Sequence, residues 1–249
     1  MFVCFYLATW LVLGALRFPF YWNGLASVTV ATILCIGILE RGQWPLGLFV
    51  PPRLALPEFG IGLAWGALLV GGCALLIVLS TDVRHQPGRG FPWVELIAVF
   101  APAVLHEELL FRGYAFQKLL HANRLVAYLF VSFLFAALHA GNTAVTLLGL
   151  TNVFLGGILL SLAYELYGRL WMPIGLHLAW NLMTGPILGH EVSGYTGEET
   201  LFVERGSGVW WLTGGNFGIE GSVWMTVIEL AGIAILAWQH MIRTKERNP

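Results

Sequence analysis

One apolar stretch of the sequence reads His106-Glu107-Glu108-Leu109-Leu110-Phe111-Arg112, which places three formal charges within six residues. Ionisable groups at bilayer depth cost about 2.5–3.5 kcal/mol each on insertion scales, so they persist where they are paired or do chemistry. On a helix Glu108 and Arg112, four apart, share a face and can pair. Glu107 points about 100° away and lacks that partner. Glu108 and Arg112 are therefore expected to brace the helix as an ion pair, with Glu107 as the free carboxylate suited to general-base work. Two further apolar stretches carry hydrogen-bonding groups: Phe135-Ala136-Ala137-Leu138-His139, and His177-Leu178-Ala179-Trp180-Asn181 with its polar pair on one face. A carboxylate, two imidazoles and an amide inside a membrane suit hydrolysis of a peptide bond. Glu107 deprotonates a water that His139 helps to hold and polarise. His177 and Asn181 donate to the oxygen that turns negative in the tetrahedral intermediate, a contribution of about 2.7–4 kcal/mol per donor.

Other peptidase chemistries fit less well. Asp82 is the sole aspartate, so an aspartyl dyad is excluded. A His-Glu-x-x-His zinc site needs a histidine where Leu110 stands. Ser132 and Ser161 lack the flanking glycines of a nucleophile loop. Glutamate-dependent hydrolysis remains, with or without a divalent metal such as zinc on His139 and His177.

These residues need a scaffold, and the composition says which kind. The chain has 249 residues, 57% hydrophobic and 11% charged, against about 25% charged in soluble domains. Disorder, collagen and coiled coil are excluded by the same figures. A net charge of −1 offers no field for nucleic acid. Cys4, Cys35 and Cys73 lie in apolar runs and read as small core residues. The expected fold is an all-α, polytopic transmembrane bundle forming a single domain over 1–249. Since about 20 apolar residues cross a bilayer, about eight spans are expected, at 1–16, 20–39, 59–79, 93–120, 125–138, 143–164, 171–188 and 223–241. The first reads as a retained span and not a signal peptide, because it has no basic leader and no small-x-small cleavage site. The stretch 43–58, with Pro45, Pro51, Pro52 and Pro57, is expected to lie at the interface.

With eight spans, Arg41, Arg53, Lys118, Arg124, Arg169, Arg243, Lys245 and Arg247 share a side with the N-terminus, against Arg17, Arg84, Arg89 and Arg205 opposite. The positive-inside rule then places both termini in the cytoplasm. Residues 190–221 form the non-cytoplasmic loop, bearing Glu191, Glu198, Glu199, Glu204 and Glu220. At 1.5 Å per residue Glu107 lies about 16 Å from Lys118, His139 about 22 Å from Arg124, and His177 about 12 Å from Arg169, so a shared mid-membrane cavity is allowed.

Glu107-Glu108-x-x-x-Arg112, Phe135-x-x-x-His139 and His177-x-x-x-Asn181 together resemble the three motifs of the CPBP family. That family comprises type II CAAX prenyl endopeptidases and bacterial relatives, including bacteriocin-processing and immunity proteins. The resemblance covers about 93–188, the expected catalytic core. It extends to Thr213-Gly214-Gly215-Asn216-Phe217-Gly218-Ile219-Glu220-Gly221, similar to a segment frequent in bacterial members. It implies eight spans and a glutamate-type intramembrane protease: Glu107 as base, His139 assisting, His177 and Asn181 as oxyanion donors, and Glu108, Arg112 and Phe135 in support. It further implies a peptide or protein substrate at the membrane, no obligatory cofactor, and residence in a bacterial inner membrane. Non-catalytic use of the cavity, as a scaffold or immunity factor, is the alternative; an ion conduit is a third class, weakened by the lack of any inverted repeat. Outside the motifs, His106 is expected to pack, His85, His121 and His240 to sit at span ends, His190 and Glu191 to be solvated, and Asn152 to bond across helices. Glu229, in the last span, has no role on sequence grounds.

Overall fold

Lipid offers no hydrogen bonds, so apolar segments satisfy their backbone internally as helices. The computed structural model describes residues 1–197 and 199–247; Glu198 of the expected loop lies outside them. The helices are α1 (Phe2–Ala15), α2 (Phe20–Leu39), α3 (Pro52–Ser80), α4 (Trp93–Glu95), α5 (Ala101–Phe111), α6 (Tyr114–Ala122), α7 (Arg124–His139), α8 (Leu147–Tyr167), α9 (Trp171–Leu182), α10 (Trp210–Thr213) and α11 (Val223–Arg247). The protein is a polytopic helical bundle. Four helices, α2, α3, α8 and α11, are long and apolar enough to cross a membrane, while α1 and α7 are shorter apolar helices. The strands β1 (Arg84–Pro87) and β2 (Phe202–Arg205) pair antiparallel, a small departure from an otherwise helical architecture.

Three expectations are corrected. The stretch 93–120 is not one helix: α4 leads through a π-helical turn, Leu96–Phe100, into α5, and the helix stops at Arg112 before α6 resumes. The stop is steric. A Cβ on Gly113 would lie 2.0 Å from the Leu109 carbonyl oxygen, so only glycine permits this tight reversal. The 16 Å path from Lys118 to Glu107 therefore does not run along a continuous helix. The proline-rich stretch is also not all interfacial, because α3 begins at Pro52 and incorporates Pro57. Pro52 occupies the first turn, where an N–H has no partner anyway, and Pro57 in the second turn forfeits only one bond. Thirdly, the loop after α9 is not simply solvated: His190 and Glu220 are buried.

The centre of the bundle is α9, whose residues 172–177 are all buried; it packs on α3, α5 and α8. Its approach to α3 is a backbone contact. Cβ atoms placed on Gly62 and Gly66 would lie 2.2 Å from Met172 O and 2.4 Å from Leu176 O, and one on Gly175 would lie 2.3 Å from Phe59 O. Small residues spaced in this way let membrane helices touch where lipid supplies no hydrophobic drive. Gly66→Leu is expected to destabilise the protein by at least the roughly 1–3 kcal/mol typical of overpacking. The same change at Gly71, which faces open space, should leave thermal unfolding in detergent unchanged.

Beyond the membrane helices, the ribbon β1–β2 is fastened to His190, in the segment that follows α9. His85 pairs with Glu204 in the strand register, its Nε2 lies 3.0 Å from Nε2 of His190, and Nδ1 of His190 lies 2.7 Å from Glu204. Burial, with the adjacent His190 adding to it and Glu204 opposing, holds His85 below the ordinary imidazole range. Its charged form is disfavoured in the fold, so the unfolded chain takes the proton first. The stability this neutral ring contributes is present above about pH 6.5, the unfolded value, and is lost as the pH falls from there through the lower value of the folded state. Amide protection across 84–87 and 202–205, corrected for the intrinsic exchange rate, should fall on acidification in wild type. It should do so less in His85→Gln.

Candidate active site

The motif residues of α5 lie one turn before the break. Arg112 leaves the helix while its N–H still donates to Glu108 O at 2.8 Å. Its guanidinium turns back to donate to Glu108 Oε1 at 3.1 Å and to the Gly157 carbonyl of α8 at 2.9 Å. Both side chains of the pair are fully buried. Removing charges from water is costly, and a second acceptor on the guanidinium is part of what makes such burial tolerable. Gly157 can serve because it has no side chain: a Cβ there would meet Ser132 at 2.8 Å.

Glu108 does more than neutralise Arg112, since its Oε1 also meets His177 Nδ1 at 2.8 Å. A ring N–H donating to that carboxylate fixes the imidazole of α9, leaving Nε2 as the exposed edge. Nε2 lies 3.7 Å from Glu107 Oε2, an ion-pair distance but too long for a hydrogen bond. Glu107 keeps about a quarter of its side chain accessible, whereas Glu108 is sealed. The two adjacent acids thus occupy different environments, one clamped and one open to the cavity.

On α7, His139 Nδ1 lies 2.7 Å from the Phe135 carbonyl. A carbonyl only accepts, so Nδ1 carries the proton and Nε2 is the remaining edge of the neutral ring. Phe135 is the shared wall: its ring centre lies 4.7 Å from that of His139, 6.1 Å from that of His177, and 4.9 Å from the Arg112 guanidinium carbon. An aromatic at this position orients both imidazoles and covers a buried cation.

Glu107, His139, His177 and Asn181 all line one cavity of about 650 Å³, with apolar surface from Phe100, Leu110, Phe111 and Leu138. Every member of the expected site is therefore in it or directly behind it. Glutamate, histidine and carboxamide together can move a proton from water and donate hydrogen bonds to an oxyanion. Among the described residues no three His, Cys, Asp or Glu side chains are grouped to hold a metal ion.

Some lining residues have no counterpart in the sequence reading. Tyr6 of α1 hydrogen-bonds His106 at 3.0 Å and stacks on its ring, in space left by Gly24 of α2. Glu220 accepts from Trp180 Nε1 at 2.8 Å and from the Ser193 N–H and hydroxyl at 2.5 and 2.6 Å. Asn152 holds the same loop by donating to the Glu220 and Ser222 carbonyls at 2.7 and 2.8 Å. The glycines of this segment are required by its path. Gly214 and Gly218 have φ of +93° and +90°, and a Cβ on Gly218 would lie 1.8 Å from Glu191 O. The glycine-rich spacing was a visible signal for a tight loop, but not for a cavity wall.

Residues 89–183, which carry all three motifs, match the family model described as Type II CAAX prenyl endopeptidase Rce1-like. No curated protein and no solved structure matches the chain. Over that segment the chain is similar to the type II CAAX prenyl endopeptidase Rce1-like family.

Proposed function

We propose that this protein hydrolyses a peptide bond of a membrane-associated, hydrophobic or lipidated substrate with a water activated by Glu107. The observation that carries the reading is the facing pair of Glu107 and His177 Nε2, 3.7 Å apart in the cavity, with His177 Nδ1 tied to the buried Glu108. Glu107, with His139 Nε2 accepting from the same water, takes one proton as the hydroxide oxygen bonds to the substrate carbonyl carbon. His177, protonated at both nitrogens in this reading, donates Nδ1–H to Glu108 and Nε2–H to the new oxyanion. The Asn181 amide donates beside it. Glu107 then passes its proton to the leaving nitrogen as the C–N bond breaks, releasing a carboxylic acid and an amine, between which the acid's proton passes to give carboxylate and ammonium, and restoring the carboxylate base. Arg112 and Phe135 keep Glu108 and both rings in place.

The loop charge split supports cytoplasmic termini in a bacterial inner membrane, with the segment 93–188 as the catalytic core. The test is direct: purified protein in lipid vesicles is incubated with membrane-anchored peptides and the products are identified by mass spectrometry. Two complementary fragments from wild type, absent with Glu107→Gln, are expected. A peptide that is gripped equally by wild type and Glu107→Gln, and cut by neither, would favour the scaffold reading.

A further inference from the structure

The active cavity has a second polar wall, made by α8, α11 and the loop 213–221. Glu229 of α11 stands in it, 1% exposed, and its Oε2 has no hydrogen-bond partner among the described residues. Space for this carboxylate comes from α8, where a Cβ on Gly156 would lie 3.2 Å from Glu229 Oε1. The neighbouring Asn152 has no donor left for it. Its amide N–H groups are spent on the Glu220 and Ser222 carbonyls, and its oxygen accepts from Thr226 at 2.6 Å.

The cavity's histidines come from α5, α7 and α9; on the wall made by α8, α11 and the loop, Glu220 and Glu229 face the cavity, and no lysine or arginine lines it. Arg112, the buried cation nearest the motif residues in sequence, is spent on Glu108 and Gly157. Glu220 takes its hydrogen bonds from neutral donors, and neither Glu220 nor Glu229 has an ion pair among the described residues. An acid inside a membrane protein that is neither paired nor exposed to lipid marks a place for something that pairs with it.

We propose that Glu229, with Glu220 beside it on the same wall, forms a subsite for a cationic side chain, lysine or arginine, of the bound peptide. The inference rests on the peptidase reading for the identity of the ligand but not for its charge. A cation entering this apolar-walled space meets carboxylates already stripped of water, so one added positive charge is read strongly. Glu229 is a specificity residue here and has no part in the bond-breaking step.

The experiment uses the full chain in phosphatidylcholine–phosphatidylglycerol vesicles. The probes are alanine–leucine peptides carrying either lysine or norleucine at one position in turn. Norleucine keeps the stem and removes the charge. Wild type is expected to favour the lysine peptide at one position by at least about tenfold in kcat/KM. Glu229→Gln should bring the ratio to within about twofold while turnover of the norleucine peptide is retained. Gly156→Ala, which crowds the carboxylate from the opposite helix, should lower the ratio by an independent route. A second arm measures binding of the same peptides to Glu107→Gln protein, with and without Glu229→Gln, so charge selection is read even if no peptide is cut. Failure of cleavage with charge selection intact would count against the peptidase reading alone. The subsite is overturned by a ratio near one at every position in wild type, or by a ratio unchanged in Glu229→Gln. A sodium requirement removed by Glu229→Gln with no peptide charge preference would equally overturn it, by making the occupant a metal cation.

Discussion

Glu107→Gln protein is expected to insert, unfold thermally and bind peptide as wild type does, and to cut it about 10²–10⁴-fold more slowly, the usual contribution of a positioned general base. The substitution keeps the size of the side chain and its place near His177 Nε2, but an amide oxygen is far too weak a base to take a proton from water. That loss corresponds to about 3–5 kcal/mol in the barrier. It should appear in kcat with KM little changed, because in the proposed mechanism Glu107 acts on the water and not on the ground-state peptide. The adjacent change Glu108→Gln should behave differently, since that carboxylate is sealed, pairs with Arg112 and orients His177. It should lower stability as well as rate. Turnover of Glu107→Gln within about tenfold of wild type would end the proposed mechanism.

Arg112→Ala is expected to be the most destabilising single change in the motif segment. It leaves the fully buried Glu108 carboxylate without its cation and the Gly157 carbonyl without a donor. Breaking a buried pair by removing one partner costs about 3–5 kcal/mol, so thermal unfolding in detergent should shift downward markedly. The double change Glu108→Gln with Arg112→Met should recover much of that stability, because both charges go and the methionine fills the space against Phe135. It should not recover activity, since His177 loses the anionic acceptor at its Nδ1. Equal stability of the single and double variants would show that the pair is not what the bundle rests on. Retained full activity in the double variant would separate His177 orientation from Glu108.

The different surroundings of the adjacent acids were legible because helical geometry is local. A residue four positions from Arg112 must lie near it and the next residue must not, whatever the rest of the chain does. The same logic found His177 and Asn181 on one face of α9. The link between Glu108 and His177 was not legible, since 69 positions separate them and only the packing of α5 on α9 brings the carboxylate to Nδ1. Phe135 shows the intermediate case. Its place four before His139 was visible, but its contact with the Arg112 guanidinium depends on α7 meeting the end of α5.

The break in the fourth apolar stretch shows where periodicity misleads. Despite its charges the stretch from Trp93 to Leu120 reads as one apolar segment, and a lone Gly113 does not usually stop a helix. Here the reversal seats Arg112 beneath its own helix end, so the glycine marks the motif's geometry and not merely a weak point. The Gly62 and Gly66 spacing on α3 was likewise present in the sequence. Only the backbone of α9 lying against it gave the spacing meaning.

By itself the sequence determined the solvent, the helical class, the three motif positions and the separation of a paired from an open carboxylate. Those follow from composition, from the cost of unsatisfied backbone in lipid, and from the fixed rotation per residue of a helix. Tertiary structure alone decided which face of each helix looks inward, that Glu108 reaches His177, and that Glu220 and Glu229 of later segments share the cavity with Glu107. The physical reason is that helices in lipid choose their neighbours by backbone closeness and interhelical hydrogen bonds, and these are properties of pairs of surfaces that no one segment contains.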